Sequence, residues 1–286
     1  MPNANNITAP ATLIAYGRSG TSLLQAVFDE HPDYGITGET SNLIHSVYYG
    51  LEAGKGIVRG PSRNFTSLWG ALAPTYEDRC AHATRAAFLS MFDDDKRHWM
   101  QKPIAHALCR EAMQRRGMKP DDYFAWYWQV ISKVFPAAKC FTVLRNPCDV
   151  ILSGRKYWGL GDATIWNGIE AVASCILHPD SKVGHAILYE DLVRDPEPVL
   201  RALFNYLGTD YHPGVLKAFE KIWVPRGGVW HEGAPKHKER TEAAFSRQAD
   251  WGSLDLDAAQ PSQIEAIRRS WERFGHQLEL PVGLGG

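Results

Sequence analysis

The sequence predicts a single α/β domain with a central, mostly parallel sheet and helices on both faces. Short apolar runs of strand length alternate along the chain with longer stretches of helical periodicity, a pattern typical of parallel sheets covered on both sides. With 286 residues, the chain is long enough to bury one sizeable core. No internal repeat or linker is evident, so we assign residues 11–286 to one domain and residues 1–10 to a flexible N-terminus.

The first predicted strand, 13–16, leads through a glycine-rich turn into a helix. The turn reads Gly17-Arg18-Ser19-Gly20-Thr21-Ser22, and apolar residues at helical spacing follow it. We expect Thr21 or Ser22 to cap the helix. A strand, a glycine-rich loop and a helix N-terminus in this order direct backbone N–H groups and the positive end of the helix dipole at one point. Such a point suits a phosphate or a sulfate.

This turn is not the phosphate-binding loop of ordinary ATP- and GTP-dependent enzymes. That loop has four residues between its glycines and a lysine after the second one. Here two residues separate Gly17 from Gly20, and no lysine follows Gly20. Because a turn of this kind can also be a plain tight connection, the anion-site hypothesis depends on a second site elsewhere in the chain.

The remaining elements continue the alternation. Proline and glycine mark several boundaries: His31-Pro32-Asp33 ends the first helix, Pro147 starts a later one and Gly208 ends another. We expect 190–196 to be a turn and 224–250 to be a polar, basic surface loop. The segment 34–42 is predicted to be a short strand that ends in a polar turn. The other predicted strands are 98–102, 139–144 and 184–189, and the predicted helices are 77–92, 121–135, 147–158, 166–177, 199–207 and 262–278.

A second anion position is predicted after the strand 139–144. Arg145 ends this strand, and Ser153 lies about two helical turns further along the following helix. Ligands of open α/β sheets bind beyond the carboxyl ends of the strands, where the glycine-rich turn also begins. A guanidinium group and a hydroxyl placed there can hold a phosphate. The alternative is that Arg145 only caps the strand or pairs with Asp149.

These two motifs resemble those of a known family. The turn 17–22 is similar to the 5′-phosphosulfate loop of sulfotransferases that use 3′-phosphoadenosine 5′-phosphosulfate (PAPS), and Arg145 with Ser153 is similar to their 3′-phosphate motif. Their order is closest to that in the protein-tyrosine, carbohydrate and bacterial sulfotransferases. Gln101-Lys102-Pro103, the segment 189–193 and Trp251 also resemble family segments. The resemblance implies a P-loop-like sulfotransferase fold, PAPS as donor and 3′-phosphoadenosine 5′-phosphate (PAP) as product.

The resemblance also implies roles for individual residues. Arg18 and Lys102 would stabilise charge at the bridging oxygen of the donor, and Glu39 would be the general base. His31 and His106 are alternative bases, and Arg155 and Lys156 are lesser candidates at the 3′-phosphate. The alternatives without a catalytic role are a Glu39 that caps a turn or pairs with Arg18, a solvated Lys102 at the end of a strand, and a solvated run of charged residues at 236–240. The implied cofactor-binding residues are Gly17, Arg18, Ser19, Gly20, Thr21, Ser22, Arg145, Ser153, Tyr189 and Arg240.

Composition limits the classes of partner. The net charge of −1 provides no basic field for nucleic acid or an anionic membrane. The N-terminus lacks the basic and apolar regions of a signal peptide, so we expect a cytoplasmic protein. Five scattered cysteines form no metal-binding spacing, and we expect reduced, mostly buried thiols and no metal.

Two departures from the family pattern bear on the substrate. Cytosolic small-molecule sulfotransferases usually carry lysine where this chain has Arg18, and Gly38-Glu39 replaces the paired acidic residues of the tyrosine-sulfating enzymes. We expect a small-molecule, carbohydrate or phenolic acceptor with a hydroxyl or an amine, and the oligomeric state stays open. The competing functions are a P-loop nucleotide kinase, which would require Mg²⁺, and a catalytically inactive PAP-binding scaffold.

Overall fold

A five-stranded parallel sheet forms the centre of the molecule. The computed structural model describes residues 10–37, 47–48, 50–51, 75–90, 96–102, 119–220 and 248–281. The strands lie side by side in the order β2-β3-β1-β4-β5. They are β1 (Ala11–Leu13), β2 (Tyr34–Ile36), β3 (His98–Gln101), β4 (Lys139–Leu144) and β5 (Val183–Leu188).

Helices follow the strands, as the alternation predicts. Short 3₁₀ segments at Pro213–Phe219, Gln248–Ser253 and Leu256–Ala258 complete the described elements. The α-helices in the described part of the chain are α1 (Thr21–Asp29), α2 (Tyr76–Ser90), α3 (Pro120–Val134), α4 (Pro147–Trp158), α5 (Asp162–Leu177), α6 (Tyr189–Arg194), α7 (Pro196–Leu207) and α8 (Pro261–Glu272).

Strand β4 shows how both faces of the sheet are covered. Cys140 and Leu144 belong to a core cluster built largely from α3, α4, α5 and α8. Phe141 and Val143 belong to a second cluster with α1, α7 and the segment Pro213–Phe219. Since successive side chains of a strand point to opposite faces, the sheet is buried on both sides. The predicted fold class is confirmed.

Several predicted boundaries were wrong. The predicted turn 190–196 is mostly helix: α6 ends at Arg194, Asp195 is a non-helical break, and Pro196 starts α7 in a first turn that tolerates proline. The last helix ends at Glu272 instead of Leu278, and Gly275 follows with a left-handed φ of 77°. Helix α5 begins four residues before the predicted Trp166, at Asp162.

The sheet order brings the two sequence motifs together. Strands β3 and β2 lie on one side of β1, and strands β4 and β5 lie on the other. Strands β1 and β4 are therefore neighbours at the point where the strand order reverses, which is the usual ligand position in such sheets. Their carboxyl ends lead into the turn 17–22 and into Arg145.

The described part of the chain bears on two further expectations. Cys80, Cys140, Cys148 and Cys175 are buried and free, as expected, whereas Cys109 lies outside the described residues. Burial raises the pKa of Cys140 and of Cys148 to about 12, so both thiols are poor nucleophiles at neutral pH. No helix among the described residues has the length and apolar character needed to cross a bilayer.

Candidate anion-binding site

The turn 17–22 contains two residues in the left-handed region of φ and two glycines with no room for a side chain. Arg18 and Gly20 both have left-handed conformations, with φ of 67° and 96°. A Cβ atom on Gly20 would lie 2.4 Å from Cδ2 of Tyr189, and one on Gly17 would lie 2.7 Å from the Trp158 ring. The two glycines therefore let aromatic side chains pack directly against the loop backbone.

The start of α1 lacks a side-chain cap. The N-cap residue is Gly20, which has no side chain to accept a hydrogen bond from the first turn. The predicted capping by Thr21 or Ser22 was therefore wrong. Both hydroxyl residues lie inside the first turn, which contains no acidic residue. The N–H groups of a first turn have no partner within the helix. Together with the helix dipole they form a position for an anion.

Arg145 contacts the glycine-rich turn directly. Its Nη1 donates to the Arg18 carbonyl oxygen at 2.8 Å, and its guanidinium lies 4.4 Å from the centre of the Tyr189 ring. The alternative partner Asp149 accepts a hydrogen bond from Trp251 Nε1 at 2.8 Å. The arginine after β4 therefore packs against the turn after β1, as the two-site hypothesis requires.

Arg18 makes the reciprocal contact with α4. Its Nε donates to Ser153 Oγ at 3.0 Å, and its guanidinium lies 4.3 Å from the centre of the Tyr157 ring. Burial lowers the pKa of Arg18 from its usual 12.5, and the neighbouring Tyr157 opposes that shift. An arginine remains protonated near neutral pH, so Arg18 is a partly desolvated cation. Such a cation interacts strongly with an anion.

A cleft opens above these contacts. Two guanidinium groups line it, and its described lining residues include no carboxylate. A concave surface with charge of one sign concentrates ions of the other sign. The lining consists of Arg18, Gly20, Thr21, Ser22, Leu23, Arg145 and Tyr189.

The other predicted catalytic residues are only partly described. Lys102 directly follows β3, the neighbour of β1, and is only 7% exposed, so the alternative of a solvated lysine was wrong. Glu39, the predicted base, comes three residues after the end of β2 and lies outside the described residues. Arg240 and His106 also lie outside them.

His31 has a structural role. Its Nδ1 accepts from the backbone N–H of Asp33 at 3.1 Å, so its Nε2 carries the proton and donates to the Asp210 carbonyl at 3.0 Å. The ring is 3% exposed and precedes β2, at the edge of the sheet opposite the cleft. We therefore remove His31 from the candidate bases.

Arg155, a lesser candidate at the 3′-phosphate, is already paired within the protein. Two of its nitrogens donate to the Asp162 carboxylate, and Nη1 donates to the Ser253 carbonyl at 2.8 Å. The sequence reasoning missed Tyr157 as a partner of Arg18. Tyr157 follows Ser153 by four residues on a helix, and this spacing places the two on the same face.

Known proteins with a similar sequence or fold are sulfotransferases. The model of a family described as "Sulfotransferase family" matches residues 10–213. Among solved structures, the sulfotransferase domain of the Synechococcus PCC 7002 olefin synthase is similar, with 20% identity over 96% of this chain and 97% of that one and a TM-score of 0.58. A sulfotransferase domain from the curacin biosynthetic pathway has 18% identity, coverage of 96% and 100%, and a TM-score of 0.57.

A third similar structure is sulfotransferase STF9 from Mycobacterium avium, with 13% identity, coverage of 96% and 78%, and a TM-score of 0.52. At these identities the structural likeness supports the shared fold. No curated protein matches the chain.

Proposed function

Since the chain belongs to the sulfotransferase family, we propose that it transfers a sulfuryl group from PAPS to a hydroxyl or an amine of a small acceptor. One observation supports this donor above others. Two arginine-bearing anion positions, one after β1 and one after β4, are joined by the bonds Arg145–Arg18 and Arg18–Ser153. PAPS has two separate anionic groups, the 5′-phosphosulfate and the 3′-phosphate, which correspond to these two positions.

The residues present fit such a donor. The uncapped start of α1 and the positively charged cleft suit the 5′-phosphosulfate. We propose that Gly17, Arg18, Ser19, Gly20, Thr21 and Ser22 bind that group. Arg145 and Ser153 would bind the 3′-phosphate, with Tyr189 and Arg240 as further contacts to the nucleotide. Both arginines lie on aromatic rings, which restrict their guanidinium planes before the ligand arrives.

When bound, PAPS supplies a sulfuryl group attached to a phosphate that can leave. The protein then has to position the acceptor and offset negative charge. We propose that Arg18 and Lys102 stabilise charge at the bridging oxygen. Arg18 suits this role because it is a partly buried cation. Glu39 would accept the proton of the acceptor group.

The acceptor is proposed to be a phenol or a carbohydrate. Tyr157 and Trp158 are half-buried aromatic residues at the end of α4, and both contact the glycine-rich turn. Aromatic rings next to a transfer site suit the flat face of a phenol or a sugar.

The test is transfer from radiolabelled PAPS to a panel of phenols and sugars, in the presence of a metal chelator. We expect product from the parent protein and from the exposed-surface control Arg194→Ala. Glu39→Gln should lower kcat by about a hundredfold or more, since it removes the general base. PAP binding without transfer to any acceptor would favour an inactive scaffold, and Mg²⁺-dependent phosphoryl transfer from ATP would favour a kinase.

A further inference from the structure

A narrow slot lies behind Arg145, between β4 and the helices α4, α5 and α8. Its volume is about 30 Å³, and most of its walls are aliphatic or aromatic, including Val172, Ile267 and Trp271. The slot extends from Arg145 to Thr142, whose side chain lies on the same face of β4 as Cys140 and Leu144. Thr142 thus places a hydroxyl in a row that is otherwise apolar.

Two polar atoms at this slot have no hydrogen-bond partner among the described residues. They are Oγ1 of Thr142, a residue that is 1% exposed, and Nε of Arg145. Buried polar atoms of native proteins nearly always have a partner, either in the protein or in ordered water. Nε can only donate, whereas a hydroxyl can both donate and accept. Thr142 and Arg145 line the same cavity, so water held there can reach both residues.

We infer that the slot holds ordered water that accepts from Arg145 Nε and bonds to Thr142 Oγ1, which makes Thr142 a positioning residue for Arg145. A cavity of this volume with polar atoms on its wall accommodates roughly one or two water molecules and no larger ligand. Arg145 is then held on three sides: by the Arg18 carbonyl, by the Tyr189 ring and by water. This inference rests on the proposed function, in which Arg145 binds the 3′-phosphate.

The consequence is selectivity for ligands that have a 3′-phosphate. With its Nε fixed from behind, Arg145 presents its remaining N–H groups in one orientation. Without that bond the guanidinium can rotate about its stem, and part of the affinity for the 3′-phosphate is spent on ordering it. AMP has the same 5′-phosphate as PAP but no 3′-phosphate, so its binding should not depend on Thr142.

The test is calorimetric titration of Thr142→Val and Thr142→Ser with PAP and with AMP. Valine keeps the volume and removes the hydroxyl, whereas serine keeps the hydroxyl. We expect Thr142→Val to raise the Kd for PAP by about three- to tenfold and the Kd for AMP by less than about twofold. Thr142→Ser should stay close to the parent. Thr84→Val is the matched control, because Thr84 is equally buried and donates to a carbonyl of its own helix.

Two results separate this inference from the proposed function. A parent protein that fails to bind PAP contradicts the proposed function. A parent that binds PAP, with a PAP-to-AMP ratio unchanged in Thr142→Val, overturns the inference. Thr142→Val should also have no further effect on PAP affinity in an Arg145→Ala background. A high-resolution crystal structure of the ligand-free protein gives an independent decision, since a slot without water bonded to both atoms overturns the inference.

Discussion

At Gly20, backbone conformation and side-chain packing both exclude a larger residue. Gly20→Ala would combine a left-handed φ of 96° with a Cβ placed 2.4 Å from the Tyr189 ring. Gly159 has a similar φ of 66° with no atom within 4 Å of its added Cβ, so Gly159→Ala measures the conformational cost alone. That cost is about 1–2 kcal/mol.

We expect Gly20→Ala to lower the free energy of unfolding clearly more than Gly159→Ala, and to weaken PAP binding as well. Urea unfolding of the two variants tests the first expectation, and titration with PAP tests the second. Equal destabilisation would mean that Tyr189 moves away freely and does not constrain the loop.

Tyr157 supports the cation that we place at the bridging oxygen. Tyr157→Leu removes the ring under Arg18, whereas Tyr157→Phe keeps it. A cation–π contact is worth about 0.5–2 kcal/mol, so we expect Tyr157→Leu to lower kcat by about three- to thirtyfold and Tyr157→Phe to change it little. Steady-state kinetics with saturating PAPS measures this. An equal loss in both variants would assign the effect to the hydroxyl and contradict the ring's role.

The sequence motifs predicted Arg18, Arg145 and Ser153, which lie close together in the structure, but not all of the side chains that surround them. Arg18, Arg145 and Ser153 belong to short motifs with a recognisable order. The contact of Tyr157 with Arg18 and the slot at Thr142 depend on which side chains meet across elements, and the order of the motifs does not determine that. The predicted hydroxyl cap failed because left-handed Gly20 takes the N-cap position, which leaves Thr21 and Ser22 as the first two residues of the helix itself.

At the scale of elements, α4 connects the site to the rest of the protein. Its cleft side carries Ser153, Tyr157 and Trp158, which contact the turn 17–22. The 3₁₀ segment Gln248–Ser253 makes two hydrogen bonds with α4. Trp251 Nε1 donates to the Asp149 carboxylate, and Arg155 Nη1 donates to the Ser253 carbonyl. The position of the two candidate anion sites therefore depends on a segment more than 200 residues after the turn.

The Trp251–Asp149 bond gives a prediction for this element. Trp251→Phe leaves the Asp149 carboxylate, in a residue that is 5% exposed, without its indole donor. We expect a loss of about 1–3 kcal/mol in the free energy of unfolding. Arg194→Ala is the control: it breaks an exposed pair with Asp191 and should cost no more than about 0.5 kcal/mol. A Trp251→Phe variant as stable as the control would show that this bond does not hold α4.

Element boundaries were predictable where local chemistry fixes them. Strand β4 and helix α4 agree with the sequence prediction. An apolar run defines β4, Pro147 marks the start of α4, and Gly159 follows its end. The end of α8 was placed too late, since the apolar pattern continues through Leu278 and Leu280, which pack on the core without being helical. An apolar pattern indicates which side chains are buried, and Leu278 and Leu280 are packed on the core in a segment that is not helical.

At the scale of the whole molecule, one buried and two half-buried histidines predict a loss of stability in acid. Burial lowers the pKa of His31, of His98 and of His185. Each is therefore neutral in the folded state at pH values where the unfolded chain already binds a proton. The contribution of these histidines to the free energy of unfolding is fully present above the unfolded pKa of about 6.5 and falls as the pH drops below it.

Urea unfolding between pH 8 and pH 5 measures this loss. The slope should reach at most about 1.4 kcal/mol per pH unit for each of these three histidines. His31→Gln should reduce the slope, and His82→Gln, on the exposed side of α2, is the control. Stability that stays constant or rises from pH 6.5 to pH 5 would contradict this account.

The fold class was predictable because a parallel sheet imposes alternation on the whole chain. The strand order was not predictable from the sequence. Strand β3 lies between β1 and β2, and this placement depends on long-range packing. That order is what places Lys102 beside the motif after β1. The roles of Glu39 and Arg240 stay predictions, because both residues lie outside the described part of the chain.

The most direct test of the central claim, two linked anion positions that bind one PAPS molecule, is calorimetric titration with PAP. We predict micromolar binding to the parent, to Arg194→Ala and to Glu39→Ala, and a Kd about ten- to a hundredfold higher for Arg145→Ala, which loses the charge at the 3′-phosphate. Absence of PAP binding to the parent, with ATP bound instead, would contradict the account and favour a nucleotide kinase.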